Sequence, residues 1–238
     1  MSDHDSGYAG KLVELLRRSG SRQRLFVDVG AHRGDFTRML QNAFPNTASH
    51  HLIEADPELC AGLRRQFADT RDAQVWNFAL HNSSGVIDFH VHADRGTSSV
   101  LQRPQHGRRY FHSSDRVVET QRVPSISLDA FLVQQRIEHV DLLKVDTQGA
   151  EAAIFRGAER SLAQACIDII YTEFFVVPHY DGAALLHELW RQLAQHGYVL
   201  FDLFKGPHAS NGQLRFGDAI FVSPQFNARY LGSPASEA

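Results

Sequence analysis

The stretch LFVDVGAHRGDF, residues 25–36, combines a buried-strand pattern, a glycine turn and the start of a helix. Its apolar run LFVDV is typical of a parallel strand that is covered on both faces. After the turn, Phe36, Leu40 and Phe44 follow one another at intervals of four residues, which indicates a helix. Because a glycine turn lets a ligand approach the backbone and a helix N-terminus offers free N–H groups, we predict an α/β fold with a ligand at this turn.

The length of 238 residues and the composition are typical of a globular protein with a single large domain. Its net charge of −3 gives no general attraction to nucleic acid or to anionic membranes. The two cysteines, Cys60 and Cys166, form no CxxC pair and fit a reducing compartment. No signal-like N-terminus and no apolar run of membrane-spanning length is present in the sequence, so we expect a cytoplasmic protein.

Strand and helix patterns alternate along the chain. Strand patterns lie at 25–30, 49–56, 73–80, 139–146 and 167–175, and helix patterns lie at 35–44, 57–67, 149–165 and 182–196. This alternation predicts a parallel sheet with right-handed crossovers and helices on both faces. Two final strand patterns, 198–204 and 213–224, have no helix between them and should be antiparallel. We therefore predict a seven-stranded, mostly parallel sheet that ends in an antiparallel hairpin.

The domain organisation follows from the same patterns. We predict an N-terminal lead-in helix within residues 1–23, a main domain over 24–224 and a C-terminal tail over 225–238. A strand and loop region is inserted into the main domain at about 86–124. Within it, the polar and basic segment 95–116 is long enough to indicate a functional loop, and a solvated surface loop is the alternative.

The spacing D-x-G-x-x-x-G from Asp28 to Gly34 restricts the ligand class. It fits neither the dinucleotide fingerprint G-x-G-x-x-G nor the phosphate loop. Asp28 would repel a pyrophosphate but could organise an ammonium and a sulfonium. Glu54, at the end of the second strand, could accept hydrogen bonds from both hydroxyls of a ribose. These features favour S-adenosylmethionine over a phosphate-bearing cofactor, whereas a turn that merely requires glycine is the alternative.

Residues 139–158, HVDLLKVDTQGAEAAIFRGA, resemble the signature of the FkbM-type methyltransferases. The segments VDVGAHRG, EADP, EFFVVPHYDG and DAIFV resemble further motifs of that family, in order, over about residues 24–223. The resemblance implies a class I, Rossmann-like methyltransferase fold and S-adenosylmethionine as the methyl donor. It also implies O-methylation, with acceptors such as sugar hydroxyls of glycolipids and polysaccharides or hydroxyls of macrolides. His32 departs from the Asn that the family often carries there.

The candidate cofactor residues follow the carboxyl ends of the predicted strands, where ligands of open α/β sheets bind. Residues 77–80 are expected beside the adenine. The predicted cofactor contacts are Asp28, Gly30, His32, Gly34, Glu54, Ala55, Asn77, Ala79 and Asp146.

Asp146, Glu173 and His179 are the predicted catalytic residues, because a hydroxyl acceptor must lose its proton to a base. Asp146 and Glu173 should lie beside the methyl group. Lys144 needs a carboxylate partner among its apolar neighbours, and we expect that partner to be Asp146 or Glu151. Pairing with Lys144 would weaken Asp146 as a base and leave Glu173 or His179 to take the proton.

The predicted acceptor contacts lie in the inserted loop and in the two turns that follow. They are Ser98, Ser99, Arg103, Arg109, Glu151 and Tyr180. We expect residues 95–112 to touch the acceptor and not the cofactor. For Glu151, a capping role in its own helix is the alternative.

The predicted function is S-adenosylmethionine-dependent O-methylation of a sugar, a glycoconjugate or a related secondary metabolite. N-methylation of an amino sugar or small amine is an alternative, because Asp146 and Glu173 would suit a cation; a non-catalytic nucleoside-binding module is another. No ligand spacing indicates a metal, so none is predicted, although Asp146, Glu173 and His179 could converge on one. The expected partner is a small-molecule or glycan acceptor and not nucleic acid, and a homodimer is one option for the oligomeric state.

Overall fold

The computed structural model describes residues 3–104 and 116–232. Its strands are β1 (Arg24–Val29), β2 (Ala48–Ile53), β3 (Ala73–Trp76), β4 (Ala79–Leu80), β5 (Gly85–His92), β6 (Val117–Ile126), β7 (Val140–Val145), β8 (Ile167–Phe175), β9 (Val199–Lys205) and β10 (Phe216–Val222). Its helices are α1 (Asp3–Arg18), α2 (Asp35–Ala43), α3 (Pro57–Gln66), α4 (Leu128–Gln135), α5 (Glu151–Arg156), α6 (Glu159–Ala163), α7 (Leu186–Ala194) and α8 (Pro224–Phe226). A 3₁₀ turn covers Arg95–Thr97, and a π-helical turn covers Asn227–Leu231.

Seven strands form the main sheet in the order β3-β2-β1-β7-β8-β10-β9. The first five of these pair in parallel, and β10 runs antiparallel to both β8 and β9. This arrangement confirms the predicted seven-stranded, mostly parallel sheet with an antiparallel terminal hairpin. The parallel strands present their carboxyl ends at one edge, so Glu54, Asp146 and Glu173 lie near one another there.

Helices cover both faces of the sheet, as predicted. All six residues of β7 are buried, which a strand achieves only when both of its faces are covered. One core contains β-strand residues together with Phe131 of α4, Phe155 of α5 and Leu189 of α7. The opposite core contains Leu15 of α1, Leu40 of α2 and Phe226 of α8. Among the described residues, no helix has the length and apolarity needed to cross a membrane.

The inserted region forms a second, three-stranded sheet in the order β4-β6-β5. The predicted third strand, 73–80, is divided: β3 joins the main sheet and β4 joins the small one. The division falls at Asn77, whose side-chain amide donates to the backbone carbonyls of Glu54 and Ala55 at 2.9 and 3.1 Å. Residues 105–115 of the predicted loop lie outside the described part of the chain.

Two helical segments differ from the sequence prediction. The single helix expected over 149–165 is interrupted between α5 and α6, where a Cβ on Gly157 would lie 2.2 Å from the carbonyl oxygen of His81. The helix therefore ends where Gly157 lies against the backbone that follows β4 of the small sheet. Helix α4 was not predicted; it begins after Ser127, whose hydroxyl accepts a hydrogen bond from the backbone N–H of Ala130 at 3.2 Å.

Candidate active site

The turn after β1 is shaped by its approach to β7. Gly30 has a φ of +72°, and a Cβ at this position would lie 1.9 Å from the carbonyl oxygen of Asp146. Gly30 thus lets the ends of two adjacent strands approach each other, besides leaving room for a ligand. Gly34 has a φ of +76°, and a Cβ there would lie 2.7 Å from Phe67 and 3.0 Å from Leu63, so backbone conformation and close packing also account for glycine at this position.

A buried ion pair lies directly behind this turn. The Lys144 ammonium is 3.1 Å from the Asp28 carboxylate and donates to the Gly30 carbonyl at 2.6 Å. The hydroxyl of Thr37 donates to the other Asp28 oxygen at 2.8 Å. Burial by itself lowers the pKa of Lys144, but the carboxylates of Asp28 and Asp146 outweigh it and raise that pKa, so the ammonium stays charged.

This pair corrects the sequence expectation for the partner of Lys144. The main partner of Lys144 is Asp28 and not Asp146 or Glu151, because Asp28 and Lys144 are cross-strand neighbours in the register of β1 and β7. Asp146 is more distant, at 4.0 Å. Asp28, predicted to contact the cofactor, is buried behind Gly30 and lines neither of the cavities described below.

The first cavity, named here the Glu54 cavity, has an empty volume of about 740 Å³. Its apolar walls include Leu59, Phe78, Leu80 and Val100, and its polar walls include Glu54, Asp146 and Gln148. Of the other predicted cofactor residues, Gly30, His32, Ala55 and Ala79 also line it. Asn77 does not; it holds the end of β2 through its two backbone contacts.

Glu54 is fixed by the backbone on both sides. One carboxylate oxygen accepts from the N–H of His32 at 2.7 Å, and the other accepts from the N–H of Asp56 at 2.8 Å. Each oxygen keeps a lone pair for a second donor. Burial raises the pKa of Glu54 to about 7, against the lowering effect of these two hydrogen bonds.

The second cavity, named here the Glu173 cavity, lies on the other side of Asp146. Its walls are formed by Tyr8, Gly30, Ala31, His32, Arg33, Asp35, Phe36, Lys144, Asp146, Tyr171, Glu173, Phe216 and Asp218. It shares Gly30, His32 and Asp146 with the Glu54 cavity. The two cavities therefore meet at the turn after β1 and the end of β7.

Gln148 links the carboxylates of the Glu173 cavity. Its side-chain N–H₂ donates to Asp146 at 3.1 Å and to Glu173 at 2.9 Å, and its own oxygen lies 3.0 Å from the Tyr180 hydroxyl. Its backbone has a φ of 57°, which is uncommon for a residue with a side chain. Burial, Asp146, Glu151 and Asp218 raise the pKa of Glu173 well above the ordinary value, although the bond from Gln148 lowers it.

The structure separates His179 from the other two predicted catalytic residues. Its Nδ1 donates to the carbonyl of Val177 at 3.0 Å, its Nε2 lies 3.3 Å from a nitrogen of Arg215, and its ring stacks on Phe175. It is buried and lines neither cavity, so Asp146, Glu173 and His179 do not converge. Among the described residues, potential metal ligands gather instead at His139, Asp141 and Asp168, where β7 and β8 begin, at the opposite edge of the sheet.

Of the predicted acceptor residues, Ser99 and Tyr180 contact Gln148, and none of those in the described part of the chain lines the Glu173 cavity. Ser99 donates to the Gln148 carbonyl at 2.7 Å, and Arg103 lies 4.1 Å above the ring of Tyr180. Ser98 lines the Glu54 cavity, as do Arg95 and Gly96, so part of the 95–112 segment is placed differently from the sequence expectation. Arg109 lies outside the described residues.

Glu151, also predicted to contact the acceptor, holds its own turn together. One carboxylate oxygen accepts from the N–H and hydroxyl of Thr147 at 2.9 and 3.0 Å and from the N–H of Gly149 at 3.1 Å. It lines neither cavity. The capping alternative fits this geometry.

Sequence reasoning missed Gln148, Asp218 and Arg95. Gln148 lies within the TQGAE segment and Asp218 begins the DAIFV segment, so both belong to segments that resemble motifs of the FkbM-type methyltransferases. Arg95 lines the Glu54 cavity and forms ion pairs with Asp56 and Glu58 of the α3 N-terminus. No sequence spacing connects Arg95 with residues that lie so far from it in the chain.

Comparison with known proteins identifies the family. Residues 28–200 match the family described as the methyltransferase FkbM domain. The chain belongs to the FkbM methyltransferase family. It is 26% identical over 182 residues to the 2-O-methyltransferase NoeI of Sinorhizobium fredii (strain NBRC 101917 / NGR234), a match that covers 72% of this chain and 70% of that protein. Family membership confirms a methyltransferase domain that uses S-adenosylmethionine.

Solved structures agree on the fold. The FkbM methyltransferase of Methylobacillus flagellatus KT superposes with a TM-score of 0.55 at 15% identity, over 89% of this chain and 47% of that one. This chain thus spans about half the length of that structure. The METTL16 methyltransferase domain gives a TM-score of 0.53 at 12% identity, over 92% of this chain and 67% of that one. The predicted class I methyltransferase fold is confirmed.

The buried ion pair generates a stability prediction. Lys144→Met leaves the Asp28 carboxylate buried without its cation, so it should lower the free energy of unfolding by about 3–5 kcal/mol. The double variant Asp28→Asn with Lys144→Met removes both charges and should lose less than the sum of the two single variants. Urea denaturation followed by circular dichroism measures these differences.

Lys205→Met is the matched control, because Lys205 is exposed at the end of β9. It should change the free energy of unfolding by about 0.5 kcal/mol or less. Strictly additive effects of the two single variants would show that Lys144 and Asp28 do not stabilise each other.

Proposed function

We propose that this chain transfers the methyl group of S-adenosylmethionine to a hydroxyl of a sugar, a glycoconjugate or a related secondary metabolite. The observation that carries the proposal is the meeting of two cavities at Gly30, His32 and Asp146. A donor in one cavity and an acceptor in the other would bring their reacting atoms together at this junction. The 26% identity to a protein named a 2-O-methyltransferase supports a hydroxyl acceptor.

The chemistry of the Glu54 cavity suits the cofactor. Both Glu54 oxygens are oriented by backbone N–H groups and retain lone pairs, so they can accept from two neighbouring ribose hydroxyls. The apolar walls around Phe78 and Leu59 suit an adenine ring. Arg95, a cation of this cavity, is paired with Asp56 and Glu58, which leaves little positive charge for a phosphate.

The Glu173 cavity suits a polar acceptor. Its carboxylates Asp146, Glu173 and Asp218 can accept hydrogen bonds from hydroxyl groups, and its rings Tyr8, Phe36 and Phe216 offer apolar surface to a sugar. Asp146 is 40% exposed and is held by Gln148 near Lys144, which suits an acceptor-orienting role. Glu173 is then the group to take the proton.

The reaction requires little beyond positioning and a base. When bound, the cofactor supplies an electrophilic methyl group on a positively charged sulfur. The chain's own residues align the acceptor oxygen with that methyl group, which can supply much of the rate. The raised pKa of Glu173 makes it a stronger proton acceptor than an ordinary carboxylate, provided that it is ionised when the acceptor is bound.

N-methylation is the second candidate function. Acidic side chains of the Glu173 cavity, including Asp35, Asp146, Glu173 and Asp218, would attract an ammonium group. The same carboxylates would then accept the proton that an amine must lose before it attacks the methyl group. An amino sugar or a small amine would be the acceptor in this reaction.

The cofactor assignment predicts a dependence of affinity on pH. The Glu54 carboxylate must be ionised to accept from both ribose hydroxyls, and its pKa in the free protein is about 7. Affinity for S-adenosylhomocysteine should therefore fall as pH decreases from about 8 to about 6, by at most about tenfold per pH unit. Titration calorimetry at several pH values measures this dependence.

Glu54→Gln is the control, because an amide does not titrate in this range. It should bind more weakly than wild type and with an affinity that is nearly independent of pH. Burial lowers the pKa of His32, which moves its titration toward the acid end of this range and away from that of Glu54. An equal pH dependence in wild type and Glu54→Gln would remove Glu54 from the cofactor site.

The acceptor and the base are tested together. Wild type is incubated with methyl-deuterated S-adenosylmethionine and a panel of methyl glycosides, oligosaccharides and amino sugars, and products are identified by mass spectrometry. With the acceptor found, Glu173→Gln should reduce kcat by about 10²–10⁴-fold, the usual contribution of a base. His179→Ala, compared at equal folded fraction, should retain most of the rate because its ring lies outside both cavities. Equal losses in both variants would contradict the choice of Glu173.

A further inference from the structure

Asp218 lies directly opposite Glu173 in the main sheet. The two residues are paired in the antiparallel register of β10 and β8. Directly opposite residues project from the same face, with Cβ atoms about 4.5–5.5 Å apart. Both side chains line the Glu173 cavity. Two carboxyl groups from different strands therefore lie next to each other in the cavity assigned to the acceptor.

A neutral side chain lies beside each carboxyl group. The side-chain N–H₂ of Gln148 donates to Glu173 at 2.9 Å. Burial and the charge of Asp218 raise the pKa of the Tyr171 hydroxyl, so this hydroxyl lies beside the Asp218 carboxyl group. The Tyr171 ring is fixed in turn by stacking on Tyr8 and Phe36, with ring centres 5.1 and 5.5 Å apart.

The family match adds a second observation. The match covers residues 28–200 and includes every residue that lines the Glu54 cavity. Asp218 lies beyond it, as do Tyr8 and Phe216 of the Glu173 cavity. The matched range therefore covers the whole Glu54 cavity but only part of the Glu173 cavity.

We propose that Glu173 and Asp218 act together as the proton acceptor of the methyl transfer, sharing one proton between two carboxyl groups. The inference rests on the proposed function. In the step, the acceptor O–H bond breaks and its proton moves to the singly ionised pair. The acceptor oxygen forms a bond to the methyl carbon while the S–C bond breaks, and its electron pair stays on sulfur, which loses its positive charge.

The surroundings explain why one proton remains on the pair. Two adjacent carboxylates repel each other, so the second ionises only at higher pH than the first. Burial of the site is the largest cause of the raised pKa of Glu173, the charges of Asp146 and Glu151 follow, and the charge of Asp218 adds to them. Lys144, a cation of the same cavity, forms its closest ion pair with Asp28, at 3.1 Å. The other ionisable groups that line the cavity are Tyr8, His32, Arg33, Asp35 and Tyr171.

Carboxyl ¹³C NMR tests the pair without any acceptor. Protein with ¹³C-labelled glutamate and aspartate carboxyls is titrated, and the Glu173 signal is assigned by its loss in Glu173→Gln. In wild type the Glu173 carboxyl should titrate well above the ordinary pH range of a glutamate. Asp218→Asn removes the neighbouring charge and should move that titration downward. Asp202→Asn, on the adjacent strand β9 where Asp202 accepts from the N–H of Leu203, should not move it.

In Asp218→Asn, the pH profile of kcat/KM should shift in the direction opposite to the Glu173 titration. In wild type the pair can accept a proton once the first carboxyl has ionised. In Asp218→Asn that role falls to Glu173 alone, which ionises at a higher pH than the first step of the pair. The acid limb of kcat/KM against pH, measured with the acceptor found above, should therefore shift upward in Asp218→Asn and stay in place in Asp202→Asn. A purely structural role of Asp218 would lower the rate without these opposed shifts.

Each outcome decides between the two proposals. An unchanged Glu173 titration or an unshifted acid limb in Asp218→Asn overturns the shared-proton inference and leaves the methyltransferase function intact. If wild type binds the cofactor but methylates no sugar, glycoside or amine, the proposed function fails, and the catalytic role of the pair fails with it even where NMR detects the coupling. Opposed shifts in the two experiments support both proposals.

Discussion

The ion pair between Lys144 and Asp28 is the interaction on which both cavities depend. It joins neighbouring positions of β1 and β7, and the same ammonium donates to the Gly30 carbonyl at 2.6 Å. A buried charge without a partner is strongly unfavourable, so the pair fixes the relative position of the two strand ends. Gly30 and Asp146, which follow those strands, form the junction between the cavities. The geometry for transfer is thus set behind the site by groups that do not themselves accept a proton.

Gln148 positions carboxylates on the far side of the junction. Its amide contacts Asp146 and Glu173, while Tyr180 and Ser99 hold its side chain and backbone. A left-handed backbone at a non-glycine residue costs free energy and persists where the surroundings enforce it. The inserted segment around Ser99 therefore influences the acceptor side indirectly, through Gln148, although its own residues lie beside the Glu54 cavity.

The sheet could be predicted from the sequence because the patterns that specify its strands lie within single short segments of the chain. Continuous apolar runs such as the one in β7 indicate strands that are covered on both faces, and the missing helix before β10 indicates the antiparallel end. The ends of those strands also placed Glu54, Asp146 and Glu173 near one another. The interruption between α5 and α6 could not be predicted, because it depends on the distant carbonyl of His81 meeting Gly157.

The partners within the site required the register of the strands. Lys144 is two residues from Asp146 in sequence, yet it pairs with Asp28, which is adjacent only across the sheet. Asp218 faces Glu173 for the same reason, since the register of β8 and β10 cannot be read from either segment alone. His179 shows the converse: it follows a strand end closely in sequence, but its ring turns toward Val177 and Arg215. Proximity to a strand end in sequence therefore predicted that the acids would line a cavity, but the same argument failed for this histidine.

The charge balance of the Glu173 cavity favours one class of acceptor. The cavity wall carries two cations, Lys144 and Arg33, and Lys144 also compensates Asp28 behind the turn. Four carboxylates face them, those of Asp35, Asp146, Glu173 and Asp218, so negative charge is in excess. A phosphate or carboxylate next to the reacting group would meet these acids at close range and in a partly buried setting, where repulsion is weakly screened. Hydroxyl groups donate to carboxylates and ammonium groups are attracted by them. The same acids that would take the proton therefore select uncharged polyols and amines over anionic acceptors.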